Sequence, residues 1–304
     1  MDGRPGLSLL LANFGDPGPG GWDVLLDRAV AADRAGVERL WVVDHVLLGP
    51  DTHEHEGAPF PTGPEADWLE PLTTLAVMAG RTRRVRLATG VLVAALRRPA
   101  VLAKAAATLD VLSGGRLELG VGAGWQRAEF AACGIPFAAR GRYLDDTLAV
   151  CGALWSGEPV TLERGDAALV DVVCRPVPAQ PGGIPLWVGG RLNAPAQRRL
   201  ARWGRGWLPW IDHADDVGTG IAIARRALAD AGRDPAGLAV RARVPVVPGA
   251  GGGIDVDATL APVPGLVAAG VTDVNLRPPL PRSVDGATEV LAGLVRAFRA
   301  RLDR

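Results

Sequence analysis

Residues 85–140, VRLATGVLVAALRRPAVLAKAAATLDVLSGGRLELGVGAGWQRAEFAACGIPFAAR, read as strand, helix, strand, with glycine at both strand ends. Residues 85–93 and 116–124 are short apolar runs bounded by turn residues, the pattern of strands buried on both faces of a parallel sheet. The segment between them, 99–112, is rich in Ala and Leu and carries Lys104, the single lysine among 33 basic residues. Pro99 suits the first turn of a crossover helix and Gly114-Gly115 its exit. Ligands of parallel α/β folds sit at the carboxyl ends of strands. Thr89-Gly90-Val91 and Gly122-Ala123-Gly124-Trp125 are therefore expected on the functional face.

Outward from this unit, strand-like runs recur at 7–14, 39–44, 85–93, 116–122, 185–189, 206–210, 238–247 and 271–276. Helical patterns fill the intervals at 22–35, 70–80, 99–112, 142–155, 194–203, 214–231, 258–269 and 284–301. Such alternation predicts an α/β fold, and a count of eight favours a closed TIM (β/α)8 barrel with insertion loops over an open doubly wound sheet. The whole chain, 1–304, is expected to form one domain. Three segments depart from the regular unit. Residues 47–67, with Pro50, His53, His55, Pro59, Pro61 and Pro64, make a candidate lid. A possible hairpin around 167–173 precedes the fifth strand, and a glycine-rich loop at 248–257 follows the seventh.

Composition narrows the function. The 304 residues are 48% hydrophobic with a net charge of +0, and the basic residues are spread along helices, so there is no footprint for nucleic acid or an anionic membrane. Small neutral or amphipathic molecules are the expected partners. Cys133, Cys151 and Cys174 lack metal-ligand spacing and read as free thiols in a reducing compartment. No run approaches membrane-spanning length and the apolar run near the start is too short for a secretory signal, so a cytoplasmic location is expected. His53 and His55 have no Cys or further His to complete a metal site.

The order and spacing of AADRAGVERLWVVDHV (31–46), the 85–140 segment, GIPFAARGRYLDDTLAVCGALWSG (134–157) and PLWVGGRLNAPAQRRLARWGRGW (185–207) resemble the luciferase-like flavin and deazaflavin oxidoreductases. The similarity spans nearly the whole chain and is greatest to the branch that uses coenzyme F420. It implies a (β/α)8 barrel binding its cofactor ring at the carboxyl face, a hydride exchanged with a small organic substrate, and a homodimer. The alternatives are an FMN-dependent monooxygenase fed by a separate flavin reductase, or a non-catalytic flavin-binding relative. A sugar-phosphate aldolase is disfavoured, because Lys104 lies inside a helix rather than at a strand end.

Carried onto these residues, the resemblance places Asp44-His45 beside the ring and substrate, with His45 as the catalytic candidate. A histidine suits the proton that accompanies hydride transfer. Gly90-Val91 matches a strand-end bulge with a non-prolyl cis peptide behind the ring. Gly122, Ala123, Gly124 and Trp125, with Glu129 one turn later, match the segment that approaches the cofactor's polar tail. Gly189, Gly190 and Arg191 match the phosphate position, where N–H groups at a helix N-terminus and a guanidinium suit an anion. Two departures stand here: Arg191-Leu192-Asn193 replaces the usual small hydroxyl residue or Asn after the glycines, and Arg205 replaces a usual Asp. Arg140 with Asp145 or Asp146 matches an ion-paired helix start. Trp125 and Trp210 are candidates to line the substrate pocket.

Overall fold

A computed structural model describes residues 5–49, 52, 54–55, 58–209, 217–249, 251 and 253–303. Eight strands close into a barrel in the order β1 (Gly6–Leu10), β14 (Asp273–Leu276), β13 (Ala239–Arg243), β12 (Gly204–Leu208), β11 (Leu186–Gly189), β8 (Leu117–Val121), β7 (Arg86–Leu92) and β3 (Arg39–Val42). Every neighbouring pair is parallel. All eight overlap the expected runs: apolar residues dominate β7 and β11, as strands covered on both faces require, while β8, β13 and β14 alternate apolar residues with polar ones.

The helices α1 (Asp23–Ala35), α2 (Pro71–Arg81), α3 (Pro99–Ser113), α5 (Arg140–Leu154), α6 (Ala194–Trp203), α7 (Val217–Asp230) and α10 (Val284–Leu302) match the helical patterns within a few residues. In α3, Pro99 stands in the first turn and Gly114 ends the helix in a left-handed turn at φ 71. The pattern over 258–269 is two helices, α8 (Val256–Leu260) and α9 (Val263–Ala269). Pro262 divides them, since its ring takes the place of an N–H and would meet the carbonyl of Ala258. A short helix, α4 (Arg127–Ala132), went unrecognised in the sequence.

Two excursions are ordered by small sheets. The strands β9 (Val160–Arg164) and β10 (Ala167–Val172) form the expected hairpin. In the candidate lid, β4 (Glu54–His55) pairs with β5 (Ala58–Pro59), and β6 (Asp67–Trp68) pairs with β2 (Phe14–Gly15) just past β1. The lid thus returns to the barrel mouth beside the first strand.

Side chains alternate along each strand between the helix layer and the barrel interior. On β14, Val274 and Leu276 join the large apolar core, while Asp273 and Asn275 point inward and are buried. The lower interior is an ionic network. Arg39 donates to Glu118 at 2.8 Å and to Asp273, and Arg86 also donates to Glu118. Trp187 Nε1 donates to Glu118 at 2.7 Å and Ser8 Oγ to Asp273 at 2.8 Å. Burial pushes the Glu118 carboxyl up, but Arg39 and Arg86 more than reverse this and hold it below the usual range. Burial dominates at Asp273, whose carboxyl is raised despite Arg39 and Ser8.

Candidate active site at the barrel mouth

His45 follows the end of β3 and is fixed from two sides. Below it, Asp44 is buried and fully engaged: Oδ2 accepts from Val93 N at 2.8 Å and Arg97 Nη1 at 2.6 Å, and Oδ1 from Arg97 Nη2 at 2.9 Å. Arg97 also reaches Glu70 at 2.9 Å, and Glu70 caps α2 by accepting from Thr73 N. Burial lowers the Arg97 guanidinium, but Asp44 and Glu70 more than compensate and hold it above its usual value. Asp44 therefore ties the His45 segment to the turn after β7 and to the start of α2. On the other side stands Glu129 of α4, fully buried, with Oε1 accepting from Val46 N at 2.7 Å and lying 3.2 Å from His45 Nδ1. Its Oε2 is buried with no partner.

Aromatic rings surround the imidazole edge-on, with centroids at 4.7 Å for Trp68, 5.3 Å for Phe60 and 5.8 Å for Trp125. Phe60 and Phe14 stack on Trp68 at 5.6 and 4.4 Å. The result is a continuous aromatic wall contributed largely by the lid and its anchoring strand.

Across the mouth lies an apolar floor. The Gly90-Val91 peptide is cis, as the resemblance implied. The Val91 isopropyl group lies over two glycines of neighbouring strands: a Cβ at Gly122 would be 2.7 Å from its Cγ2, and one at Gly189 2.4 Å from its Cγ1. Gly122 and Gly189 stand level, each following the paired residues Val121 and Val188. Gly124 adopts φ 73, and a Cβ there would meet Val93 and Phe130 at 2.7 and 2.9 Å. Beneath the floor Arg241 points inward, its guanidinium 4.8 Å from the Trp41 ring. Burial lowers that guanidinium to about 10, against the pull of Asp273.

The double-glycine turn is built differently from the expectation. Gly190 N donates to Leu208 O at 3.0 Å, and the Asn193 side chain takes the N–H of Ala196 to cap α6. Pro195 has no N–H to offer, so the helix end supplies fewer backbone donors than expected. What remains is a cavity of about 240 Å³ whose lining includes Arg191, Asn193, Trp207 and Thr219.

Comparison with known proteins agrees with this architecture. A model of the luciferase-like monooxygenase family matches residues 4–251. The chain belongs to this family. It is 35% identical over 174 residues to an F420-dependent glucose-6-phosphate dehydrogenase of Amycolatopsis mediterranei (strain U-32), a match covering 56% of this chain and 49% of the relative. It is 32% identical over 231 residues to an F420-dependent hydroxymycolic acid dehydrogenase of Mycobacterium tuberculosis (strain ATCC 25618 / H37Rv), covering 75% of this chain and 59% of the relative. The chain thus spans about half to three-fifths of the length of these relatives. The structure of an F420-dependent secondary alcohol dehydrogenase in complex with an F420-acetone adduct superposes with a TM-score of 0.72 at 16% identity, over 97% of this chain and 99% of that one. At that identity the likeness is one of fold.

Within this luciferase-like barrel, His45, Glu129 and Trp125 meet at the mouth, and Gly90 and Val91 lie at the end of β7 with Gly122, Ala123 and Gly124 in the strand end and loop beside Val91. Gly189 also supports the floor, whereas Gly190 and Arg191 belong to the neighbouring cavity. The pairing of Arg140 with Asp145 or Asp146 is not found. Arg140 instead donates to the carbonyls of Gly124 and Phe137, Asp145 pairs with Arg199 at 2.6 Å, and Asp146 is flanked by Arg142 and Arg164. Trp210 and His53 lie outside the described residues. Among the described residues no group of three His, Cys, Asp or Glu could hold a metal, and no helix is long and apolar enough to cross a membrane. The sequence reading missed Phe60 and Trp68, which carry no periodic signal, and the inward arginines of β13. The alternation Arg241, Ala242, Arg243 was the available clue to the latter.

The residues present fit a deazaflavin. The mouth offers a floor without protruding polar groups, a buried carboxylate oxygen without a partner at Glu129 and an aromatic wall. Gly90, Val91, Gly189 and Trp125 would hold the ring, and the cavity beside Arg191 the anionic arm.

Proposed function

We propose that this protein is a coenzyme F420-dependent oxidoreductase acting on a small organic substrate at the barrel mouth, the chain forming one barrel unit and working in the cytoplasm as a homodimer. The observation that carries the reading is the His45–Glu129 contact at the end of β3, inside the aromatic wall. The bound cofactor supplies the hydride chemistry. The chain supplies position and a proton. Glu129 Oε1 already accepts the Val46 N–H, so the 3.2 Å contact requires the hydrogen on His45 Nδ1. Nε2 is then the atom that gives or takes a proton. The aromatic wall keeps water from the imidazole, and Asp44 fixes the segment that carries it.

Titration of the protein with F420 and with FMN, followed by fluorescence quenching, tests this. Micromolar binding of F420 with weaker binding of FMN is expected, together with a His45→Gln variant that binds F420 as the parent does but turns over at least about 100-fold more slowly. Preference for FMN moves the protein to the monooxygenase branch, and binding of neither overturns the reading.

A further inference from the structure

Several arginines of this protein meet carboxylates: Arg39 has Glu118 and Asp273, Arg86 has Glu118, Arg97 has Asp44 and Glu70, and Arg199 has Asp145. A group at the barrel mouth does not: Arg243, Arg277 and Arg282 are exposed there and Arg28 is half-buried. Arg243 at the end of β13 and Arg277 just past β14 continue the inward rows that contain Arg241 and Asn275. Arg243 stands level with Asn275, so the Arg243 and Arg277 backbones are roughly 8 Å apart. Arg28 of α1 and Arg282 of the loop before α10 stand behind them. Among the described residues none of the four has a carboxylate within ion-pair distance, and Arg28 Nε is buried with no hydrogen-bond partner.

The arrangement gathers like charges with no carboxylate counterion among the described residues. Burial lowers the Arg243 guanidinium and Arg277 lowers it further; burial lowers Arg28, with Arg282 and Arg277 adding to the effect. Like charges on adjacent strands repel unless something neutralises them. Position indicates the reason. The Arg277 guanidinium lies 5.4 Å from the Phe14 ring, Phe14 stacks on Trp68 at 4.4 Å, and Trp68 meets His45 at 4.7 Å. The arginines and the proton-transfer candidate thus occupy opposite ends of one aromatic wall.

We propose that Arg243 and Arg277, backed by Arg28 and Arg282, receive an anionic oxygen group of the substrate, a phosphate ester or a carboxylate, and so direct its reacting carbon toward His45. Guanidinium groups take such oxygens in a planar, two-point fashion, and the aromatic wall covers the apolar part between the two ends. This rests on the mouth being the reaction site, as proposed above. The cofactor's own anionic arm is assigned elsewhere, to the cavity beside Arg191.

The test uses the intact protein, with inorganic phosphate and succinate as probes and chloride at matched ionic strength as the control. Thermal unfolding and calorimetric titration are expected to show saturable binding of at least one probe, and the identity of the stronger one separates a phosphate ester from a carboxylate. Arg243→Gln and Arg277→Gln are each expected to weaken that binding about tenfold or more. In anion-free buffer both variants should melt at or above the parent temperature, because a repulsive charge is gone; a merely structural arginine would give the opposite. F420 affinity, read by quenching, should stay within about twofold of the parent. Binding no stronger than chloride, or unchanged in both variants, overturns the proposal. So does an equal loss of phosphate and F420 binding, which would assign the cluster to the cofactor's arm. If the parent fails to bind F420 yet binds phosphate through Arg243 and Arg277, the anion site stands and the redox reading falls.

Discussion

Replacing Gly189 by alanine strikes the floor of the mouth directly. The new methyl would lie 2.4 Å from Val91 Cγ1 and 3.3 Å from the Val121 carbonyl oxygen. Carbon atoms in contact prefer about 3.5–4.0 Å, so Val91 has to retreat by roughly 1 Å. Rotation gives no escape. Val91 is β-branched and stiff at χ1, and its other methyl already fills the space over Gly122. Overpacking of this kind costs about 1–3 kcal/mol, which in a chain of this size lowers the melting temperature by about 2 °C per kcal/mol. A displaced floor should also weaken F420 binding about tenfold, the equivalent of 1.4 kcal/mol. Differential scanning fluorimetry and fluorescence titration read the two effects separately. The decisive sample is Gly189→Ala combined with Val91→Ala, where the added methyl enters the volume vacated by the removed ones. A favourable coupling of about 1–2 kcal/mol is expected between the two substitutions. If Gly189→Ala melts with the parent, or if Val91→Ala gives it no relief, the packing argument for this glycine is wrong.

Asp44→Ala leaves Arg97 with Glu70 as its one carboxylate and strands the Val93 N–H in a buried setting, and should cost about 3 kcal/mol, seen as a lower urea midpoint; a loss under 1 kcal/mol refutes its bracing role. Glu118→Gln should cost a similar amount at neutral pH. Arg39 and Arg86 hold the native Glu118 carboxyl below its unfolded value, so its stabilisation is present above the ordinary glutamate range and disappears as pH falls through the lowered one. The gap between parent and Glu118→Gln in urea midpoint should therefore narrow on acidification, and a gap that stays constant contradicts the network. Burial, with Cys174 nearby, pushes the Cys151 thiol up to about 12. Iodoacetamide at pH 8 should consequently spare Cys151 in the native protein and modify it only after unfolding, as peptide mass analysis would report.

The barrel was legible in the sequence because its strands are short, mostly apolar runs that alternate with helical patterns, and proline and glycine mark both ends of α3. The His45, Val91 and Glu129 positions followed from the family pattern rather than from residue chemistry alone. Two other features were not legible. Arg39, Arg86 and Glu118 look in sequence like polar residues at strand margins, and only closure of the barrel brings them together. Phe60 and Trp68 sit in a proline-rich excursion without helical or strand period, so nothing local indicates that they reach back to the imidazole. Arg140 shows the opposite error: a salt bridge inferred from similarity is replaced by bonds to backbone carbonyls, while Arg199, more than fifty positions along the chain, claims Asp145.

The ionic interior of the lower barrel bears on how this sequence can change over generations. Replacing Arg39 alone removes the cation that Glu118 and Asp273 share, and replacing Glu118 alone leaves Arg39 with Asp273 and Arg86 with the uncharged Gln180 as their remaining side-chain acceptors. A wholly hydrocarbon plug of equal volume is physically acceptable, yet every single-step route to it crosses a deep loss of stability. These residues should accordingly be inherited as a block, drifting together or not at all, while the loops at the rim remain free to vary with whatever molecule they admit.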